Sequence, residues 1–213
     1  MSNMKQIGIG IVQYVQDYDS TYPRYLYPNS AGTANISWRQ MIQPYIKSTQ
    51  VLRCPSNTNN NTPTHPAQDG YPETYVSYAA STSTNDTTAN ANGVGAIGYA
   101  VSVPESVIAS PSQCIVVVES TAKNSGFEIR IPTYYGVETD NATSMGHLFA
   151  GHLSTSNFLF VDGHVKSMKP LRTMNESTTN PAIPNLWTRD NSPFLGTFTQ
   201  AQQTLTFAEN KYK

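Results

Sequence analysis

The stretch that runs from His152 to Gly163 constrains the fold of this chain most strongly, because it predicts a complete β-hairpin. The apolar run of residues 158–161 favours an extended strand. Asp162 and Gly163 then supply a two-residue turn that tolerates positive φ, and residues 164–166 begin the return strand. The hairpin places a histidine ahead of an Asp-Gly turn, but it does not by itself specify any chemistry.

The composition of the chain limits the class of protein to which it can belong. Charged residues make up 13% of its 213 residues and the net charge is −1, whereas ordinary soluble domains have roughly 25% charged residues. Ser, Thr, Asn and Tyr supply the missing polarity, which suits an extracellular protein or a repeatedly packed assembly better than a cytosolic enzyme. The low charge argues against a nucleic-acid partner. No internal repeat or domain boundary is visible, so we expect one domain over residues 1–213.

The N-terminal residues 2–18 predict an amphipathic helix, because their apolar side chains recur at three- and four-residue spacing. The stripe consists of Met4, Ile7, Ile11, Val15 and Tyr18. Gly8 and Gly10 weaken the helix by roughly 1 kcal/mol each relative to Ala, so it depends on packing or continues a longer helix. No stretch approaches the roughly 18 apolar residues of a membrane span. Because the chain begins abruptly inside the amphipathic pattern, we expect that a hydrophobic segment ahead of it has been removed.

The middle of the chain predicts further strands and one helix. Residues 114–119 form a continuous apolar run that predicts a central strand, and residues 125–132 are expected to pair beside it. Residues 75–80 predict another strand, and residues 37–46 predict a short helix. Two long loops rich in Ser, Thr and Asn separate these elements, at residues 56–72 and 81–95.

The C-terminal residues 171–213 are expected to form a tail extension of this domain. They are polar and irregular, with Trp187 and Phe194 as isolated anchors. Residues 197–207 alternate imperfectly between apolar and polar side chains, and they predict either an edge strand or a short helix.

Four histidines invite a metal-binding or catalytic interpretation: His65, His147, His152 and His164. A zinc site needs three or four converging ligands, and these histidines lack a recognised ligand spacing. A structural interpretation is therefore preferred. In it His152 hydrogen-bonds the Asp162 turn or a backbone carbonyl, Asp162 bonds the turn amides, and Gly163 is required for a positive φ. No catalytic nucleophile motif is present, and we predict neither catalytic, cofactor-binding nor metal-binding residues.

Calcium is the one cofactor that the acidic residues leave open. Loop oxygens of Asp17, Asp19, Asp69 and Asp86 are of the type that Ca²⁺ prefers. The chain has no Asp-x-Asp-x-Asp-Gly loop, however, and Asp17 with Asp19 is better interpreted as a helix end.

The cysteines and tyrosines each allow two interpretations. Cys54 and Cys114 permit one disulfide in an exported protein, and two buried thiols fit the sequence equally well. The tyrosines near the end of the N-terminal helix are interpreted first as core and subunit-packing residues. A carbohydrate-binding face built from Tyr and Asn side chains is the alternative.

Six segments together resemble, in order, a family of bacterial type IV pilin-like proteins, the H-X9-DG prepilins and pseudopilins. The segments are residues 3–23, 38–47, Leu52-Arg53-Cys54-Pro55-Ser56, Ser77-Tyr78, residues 108–119 and residues 151–166. The last one contains the signature of the family, in which nine residues separate His152 from Asp162-Gly163. Three features depart from the pattern: no prepilin peptidase site is visible, Glu119 stands where the family usually has Asp, and Gly151 replaces a frequent basic residue.

The resemblance implies a pilin-like α+β fold, with an N-terminal helix packed on an antiparallel sheet and long loops. It implies a structural, non-enzymatic subunit of a type IV pilus-like filament or a type II secretion pseudopilus, which acts by self-assembly. The implied partners are related subunits, the assembly machinery and, through the missing helix only, the membrane. Such a subunit is anchored in the inner membrane before assembly and ends in an extracellular filament or at the cell surface.

Two other functions are kept as hypotheses. One is an adhesin or a minor pseudopilin that binds a substrate or glycan through the loops and the tail. The other is a hydrolase that would use His152 and Asp162.

Overall fold

The computed structural model describes residues 1–57, 65–83, 89, 93–121, 126–127, 129, 148–174, 184–194 and 198–213. The fold is α+β, with an N-terminal helix and four antiparallel strands, as expected. The helices are α1 (Ser2–Asp17), α2 (Trp38–Met41), α3 (Gln43–Ile46) and α4 (Phe198–Lys211). No helix in the described part of the chain is both long enough and apolar enough to cross a membrane.

The strands form one small and one large sheet. They are β1 (Leu26–Pro28), β2 (Asn35–Ser37), β3 (Tyr78–Ser81), β4 (Ile115–Glu119), β5 (Gly126–Phe127), β6 (Ser156–Phe160) and β7 (Val165–Met168). β1 pairs with β2, and the large sheet has the order β5-β3-β4-β6-β7. All of its neighbours are antiparallel except β5, which runs parallel to β3. The expectation that residues 125–132 pair beside β4 is therefore wrong for β5, since β3 and β6 already occupy both edges of β4.

The central strand β4 is buried along its whole length, as its continuous apolar run predicts. Its register with β6 shifts between Ile115 and Val117, and such an irregularity changes which face a side chain points to. Val117 consequently joins a core on the α1 side of the sheet, whereas Ile115 and Val118 join a second core on the other side. The sheet thus separates two apolar cores.

Helix α1 covers the first face of the sheet through its predicted apolar stripe, from Met4 to Val15. Gly8 and Gly10 lie on this buried face. A Cβ atom on Gly8 would lie 2.9 Å from Leu159 Cδ1. The two glycines therefore permit close contact of α1 with β6 and α3. Tyr18, which the stripe was expected to include, follows the helix and is exposed.

The C-terminal residues cover the second face of the sheet. Trp187 is fully buried, and its ring meets Phe158 of β6 edge to face at 6.1 Å. The indole Nε1 donates a hydrogen bond to Thr173 Oγ1 at 2.8 Å. Helix α4 adds its apolar side chains to the same core: Ala201, Leu205 and Ala208. Of the two alternatives for residues 197–207, the helix is therefore confirmed for the described residues, and the tail contributes to the core.

The predicted hairpin is formed by β6 and β7, but its turn is longer than expected. The Phe160 amide donates a hydrogen bond to the His164 carbonyl, and the Gly163 amide donates to the Phe160 carbonyl. The loop therefore contains three residues, and Gly163 takes the expected positive φ of 86° at its last position. Asp162 Oδ1 accepts the His164 amide at 3.1 Å, so the predicted capping of the turn amides is confirmed.

Candidate functional site

A buried carboxylate at the end of the central strand organises a polar cluster. Glu119 is the last residue of β4, and only 1% of it is exposed to solvent. A carboxylate in such a position is costly unless hydrogen bonds satisfy it. Asn157 of β6 provides two of them, from its backbone amide to Oε2 at 2.8 Å and from its side-chain amide to Oε1 at 3.1 Å.

His152 is the third partner of this carboxylate. Its Nε2 lies 3.2 Å from Oε1 of Glu119, and its ring meets Phe149 edge to face at 5.4 Å. The backbone of His152 pairs with Thr155 across a tight turn, which fixes the ring just before β6 begins. The side chain of His152 remains 31% exposed, so solvent reaches one side of the pair.

The expected partnership of His152 with the Asp162 turn is wrong. Strand β6 lies between them, and at about 3.3 Å per residue its five residues span roughly 17 Å. Asp162 instead contacts His164, whose Nδ1 lies 2.6 Å from Oδ1. A hydrolase that uses His152 and Asp162 as a pair is not supported, because the two side chains lie at opposite ends of the strand.

Cys54 completes the cluster from a distant part of the chain. The short 3-10 helix Thr49–Leu52 leads into it, and its backbone amide donates to Ser77 Oγ at 2.8 Å. The thiol points to Glu119, with 3.9 Å between Sγ and Oε1. The potential ligand atoms of Cys54, Glu119 and His152 all lie within 4.8 Å of one another, and no other such group of three occurs among the described residues.

The two cysteines do not form a disulfide with each other. Both Cys54 and Cys114 are free and buried, which confirms the second of the two interpretations. Cys114 lies just before β4, where its carbonyl accepts the Val161 amide. Burial raises the pKa of the Cys114 thiol to about 12, so it is an inert core residue.

Two of the remaining histidines, His65 and His164, contact other residues than the cluster. His65 contacts Arg39, with 3.1 Å between Nδ1 and the guanidinium Nη2. Burial and this positive neighbour lower the pKa of His65 to about 3. His164 contacts Asp162, and His147 lies outside the described residues.

Two of the acidic residues considered for calcium, Asp17 and Asp69, accept hydrogen bonds from the protein itself. Asp17 Oδ2 accepts the Tyr45 hydroxyl at 2.8 Å. Asp69 accepts the amide of Ser30 at 2.6 Å and its hydroxyl at 3.0 Å. Asp19 follows α1, and Asp86 lies outside the described residues. In the part of the chain that the structure describes, these residues therefore form no shared calcium-binding group.

The cluster borders an open cleft of about 650 Å³. Cys54 and Asn57 line it, together with Asn3 from the start of α1. Asn3 donates to the Arg53 carbonyl at 2.9 Å, and Asn57 donates to the Ser120 carbonyl at 3.0 Å. These bonds hold the segment around Cys54 between α1 and the end of β4, so Cys54 is the member of the cluster that lies at the wall of the cleft.

The contacts among the thiol, the carboxylate and the imidazole limit the chemistry that the cluster can perform. In a cysteine nucleophile system the imidazole contacts the thiol and a third group orients the imidazole. Here the thiol and the imidazole each contact Oε1 of Glu119, so the arrangement does not match that order. Thiolate sulfur, imidazole nitrogen and carboxylate oxygen are, however, the donor types that zinc prefers.

Sequence reasoning identified His152 as important but missed both of its partners. Cys54 was considered for a disulfide or as a buried thiol, and Glu119 as the end of a buried strand and as a departure from the usual Asp of the resembled family. One signal was available, because an acidic side chain that ends a continuously apolar strand must be buried with partners.

Comparison of the chain with protein-family models, with curated proteins and with solved structures finds no match. The class that the coordinates define is an α+β domain in which an N-terminal helix covers a mainly antiparallel sheet. A buried Cys-Glu-His cluster lies at the end of the central strand of that sheet.

Proposed function

We propose that this chain is the globular head of a type IV pilin-like or pseudopilin subunit, a structural protein that acts by self-assembly. The resemblance of six segments between residues 3 and 166 to the H-X9-DG family motivates the proposal. The α+β architecture supports it, since α1 lies on a largely antiparallel sheet whose outermost strand belongs to the H-X9-DG hairpin.

The outer face of α1 is the single observation that supports self-assembly best. The inner face of the helix is buried, yet Ile9 is 58% exposed and Val12 lies exposed beside it, one turn further along. Apolar side chains that neighbour each other on the outside of a packed helix suggest contact with another surface. In the proposal, neighbouring subunits cover Ile9 and Val12 in the filament.

The proposed life cycle of the subunit follows from the same assignment. A hydrophobic helix ahead of α1 would hold it in the inner membrane, and the assembly machinery would then transfer it to the filament. The hydrophobic helix would pack in the filament core, and the described domain would face outward at the cell surface. Neither a nucleic acid nor a cofactor takes part in this process.

Mass spectrometry of the N-terminus of the native protein, recovered from sheared cell-surface material, tests the proposal. We expect a processed, N-methylated residue and a hydrophobic helix ahead of Asn3. A native N-terminus at Met1 in the soluble fraction would refute the filament assignment.

The role of α1 is tested separately by substitution. Ile9→Arg places a charge on the exposed apolar face and should abolish filaments while leaving the monomer folded. Gln203→Arg adds the same charge at an exposed position of α4 and should leave filaments intact. Normal filaments of the Ile9→Arg variant would refute the assembly role of this face.

A glycan-binding minor subunit is the second candidate, favoured by an aromatic cleft of about 300 Å³ beside the end of α1. The cleft is lined by Tyr14, Tyr18, Tyr27, Ile36, Met41 and Tyr71. Tyr18 is exposed, and its ring stacks on Tyr14 at 4.1 Å. Flat aromatic rings with hydroxyl groups offer apolar faces and hydrogen-bonding edges to a sugar.

A glycan array with the purified domain tests this candidate. Binding should be lost in Tyr18→Ala and retained in Tyr99→Ala, which removes another exposed tyrosine that stacks on Tyr25. The absence of any glycan signal for the unsubstituted domain would remove the candidate.

A further inference from the structure

We propose that Cys54, Glu119 and His152 bind a divalent metal ion of the zinc class, at a site that is independent of the proposed assembly function. The distances between the ligand atoms fit such an ion. Tetrahedral zinc, with bonds of about 2.3 Å to sulfur and about 2.0–2.2 Å to nitrogen and oxygen, separates neighbouring ligand atoms by roughly 3.3–3.6 Å. The observed separations are 3.2 Å from His152 Nε2 to Glu119 Oε1 and 3.9 Å from Cys54 Sγ to the same oxygen.

The donor set selects the kind of ion. A cysteine thiolate is a soft ligand that favours zinc and similar transition metals over calcium or magnesium, which prefer oxygen alone. Imidazole and carboxylate complete a mixed sulfur, nitrogen and oxygen set of the type found around zinc. Calcium, which the acidic residues suggested from the sequence, is therefore not the ion that this site would take.

The surroundings of Glu119 resemble the outer shell of a metal site. Asn157 donates to both carboxylate oxygens, and its backbone amide holds Oε2 while Oε1 faces the thiol and the imidazole. Hydrogen bonds of this kind orient metal-binding carboxylates in known sites. A metal ion beside Oε1 would also compensate the buried negative charge on the side of Cys54 and His152.

The position of the cluster leaves room for a further ligand. Three protein ligands occupy three corners of a tetrahedron, and in zinc sites of this type water or a small molecule takes the fourth. Cys54 lines the open cleft of about 650 Å³, and His152 is partly exposed, so both the ion and a fourth ligand have a path from solvent. The bound ion would also connect three segments that are distant in the sequence.

Titration of the metal-free, reduced full chain with Co²⁺ tests the proposal, because cobalt replaces zinc and reports its ligands by absorption. We expect one Co²⁺ per chain, with a near-ultraviolet thiolate-to-cobalt charge-transfer band and visible bands of tetrahedral intensity. Zn²⁺ should displace the cobalt and abolish both signals. Because the ligands must lose their protons, binding should weaken as the pH is lowered.

Matched substitutions assign the ligands. Cys54→Ser should abolish the charge-transfer band, and His152→Gln should weaken Zn²⁺ binding by about 100-fold or more, since even outer-shell partners contribute about 10–100-fold. Cys114→Ser removes the other buried thiol, and His164→Gln removes the histidine at the other end of β6. Both control variants should bind cobalt and zinc like the unsubstituted chain.

Two results would overturn the proposal. One is the absence of a thiolate-to-cobalt band in the folded, reduced wild-type chain, which would leave the cluster a hydrogen-bonded network. The other is a band that survives Cys54→Ser and disappears in Cys114→Ser. If Cys54→Ser fails to fold, the rate of thiol alkylation in the wild-type chain tests the site instead. Zn²⁺ should slow the alkylation of Cys54 and leave that of Cys114 unchanged. Equal alkylation rates of Cys54 with and without Zn²⁺ would refute the site.

Discussion

The contact between α1 and α3 allows a stability prediction whose sign differs between sequence and structure. In the sequence, Gly10 is a weak point of a helix, and its replacement by Ala should stabilise the protein by about 1 kcal/mol. In the structure, a Cβ atom on Gly10 would lie 2.5 Å from Ile46 Cγ2. Ordinary contacts of this kind are about 3.5–4.0 Å long, so either the helix or Ile46 must move by about 1 Å.

The expected change in unfolding free energy for Gly10→Ala is the cost of overpacking less the gain in helix propensity. Overpacking a filled core costs about 1–3 kcal/mol, and Ile46 cannot turn away easily because it is buried and β-branched. The 2.5 Å approach places Gly10→Ala in the upper half of this range. After the gain of about 1 kcal/mol in helix propensity, we expect a net destabilisation of about 1–2 kcal/mol.

Urea unfolding followed by tryptophan fluorescence and circular dichroism measures this change. A double-mutant cycle with Ile46→Ala isolates the contact, because that variant removes Cγ2. Against the Ile46→Ala background, Gly10→Ala should become neutral or stabilising by up to about 1 kcal/mol. Gln13→Ala, at an exposed position of α1, controls for helix propensity alone. A Gly10→Ala protein that is more stable than the wild type would refute the reasoning.

Three further predictions concern the core, the turn and the partly buried His65. Trp187→Ala should cost about 3–5 kcal/mol in unfolding free energy, and a loss below about 1 kcal/mol in urea titrations would show that the C-terminal segment does not complete the second core. Gly163→Ala should cost about 1–2 kcal/mol because of its positive φ. Gly163→Asn should cost less, and equal melting temperatures for the two variants would contradict this. The unfolded chain protonates His65 near its usual pKa of 6.5, whereas the folded protein does so only near 3, so stability falls as the pH drops through this window. The titration of His65 changes the unfolding free energy by at most about 1.4 kcal/mol per pH unit. Urea unfolding midpoints measured between pH 3 and pH 6.5 test this pH dependence. The His65→Gln variant should lose it, and the His164→Gln variant should keep it.

The H-X9-DG motif divides into two parts with different roles in this structure. At one end, Asp162 and Gly163 form the turn of the hairpin. At the other end, His152 joins the cluster of Glu119 and Cys54. The nine residues between them contain strand β6, which keeps the two ends apart. A substitution at His152 should therefore affect the cluster, whereas one at Gly163 should affect the hairpin.

The elements that the sequence predicted well depend on short-range rules. The stripe of α1, the apolar run of β4 and the glycine of the hairpin turn were all found where periodicity and turn chemistry place them. Helix α4 was left undecided, because residues 197–207 alternate imperfectly between apolar and polar side chains. Two of the three residues that it adds to the core are small alanines, Ala201 and Ala208. The partner of β5 was predicted wrongly, since strand order depends on contacts outside the strand itself.

The sequence by itself determined the N-terminal helix, the buried central strand and the positive φ of Gly163, because these depend on side chains within a few positions of one another. Only the tertiary structure decided the partners of His152. Glu119, which contacts the imidazole, lies 33 residues from His152 in the sequence. Cys54, which contacts the same carboxylate, lies 65 residues from Glu119. The hydrogen-bonding groups of an imidazole by themselves allowed His152 several partners. The antiparallel pairing of β4 with β6 and the bond from Cys54 to Ser77 selected these two by bringing their atoms within reach.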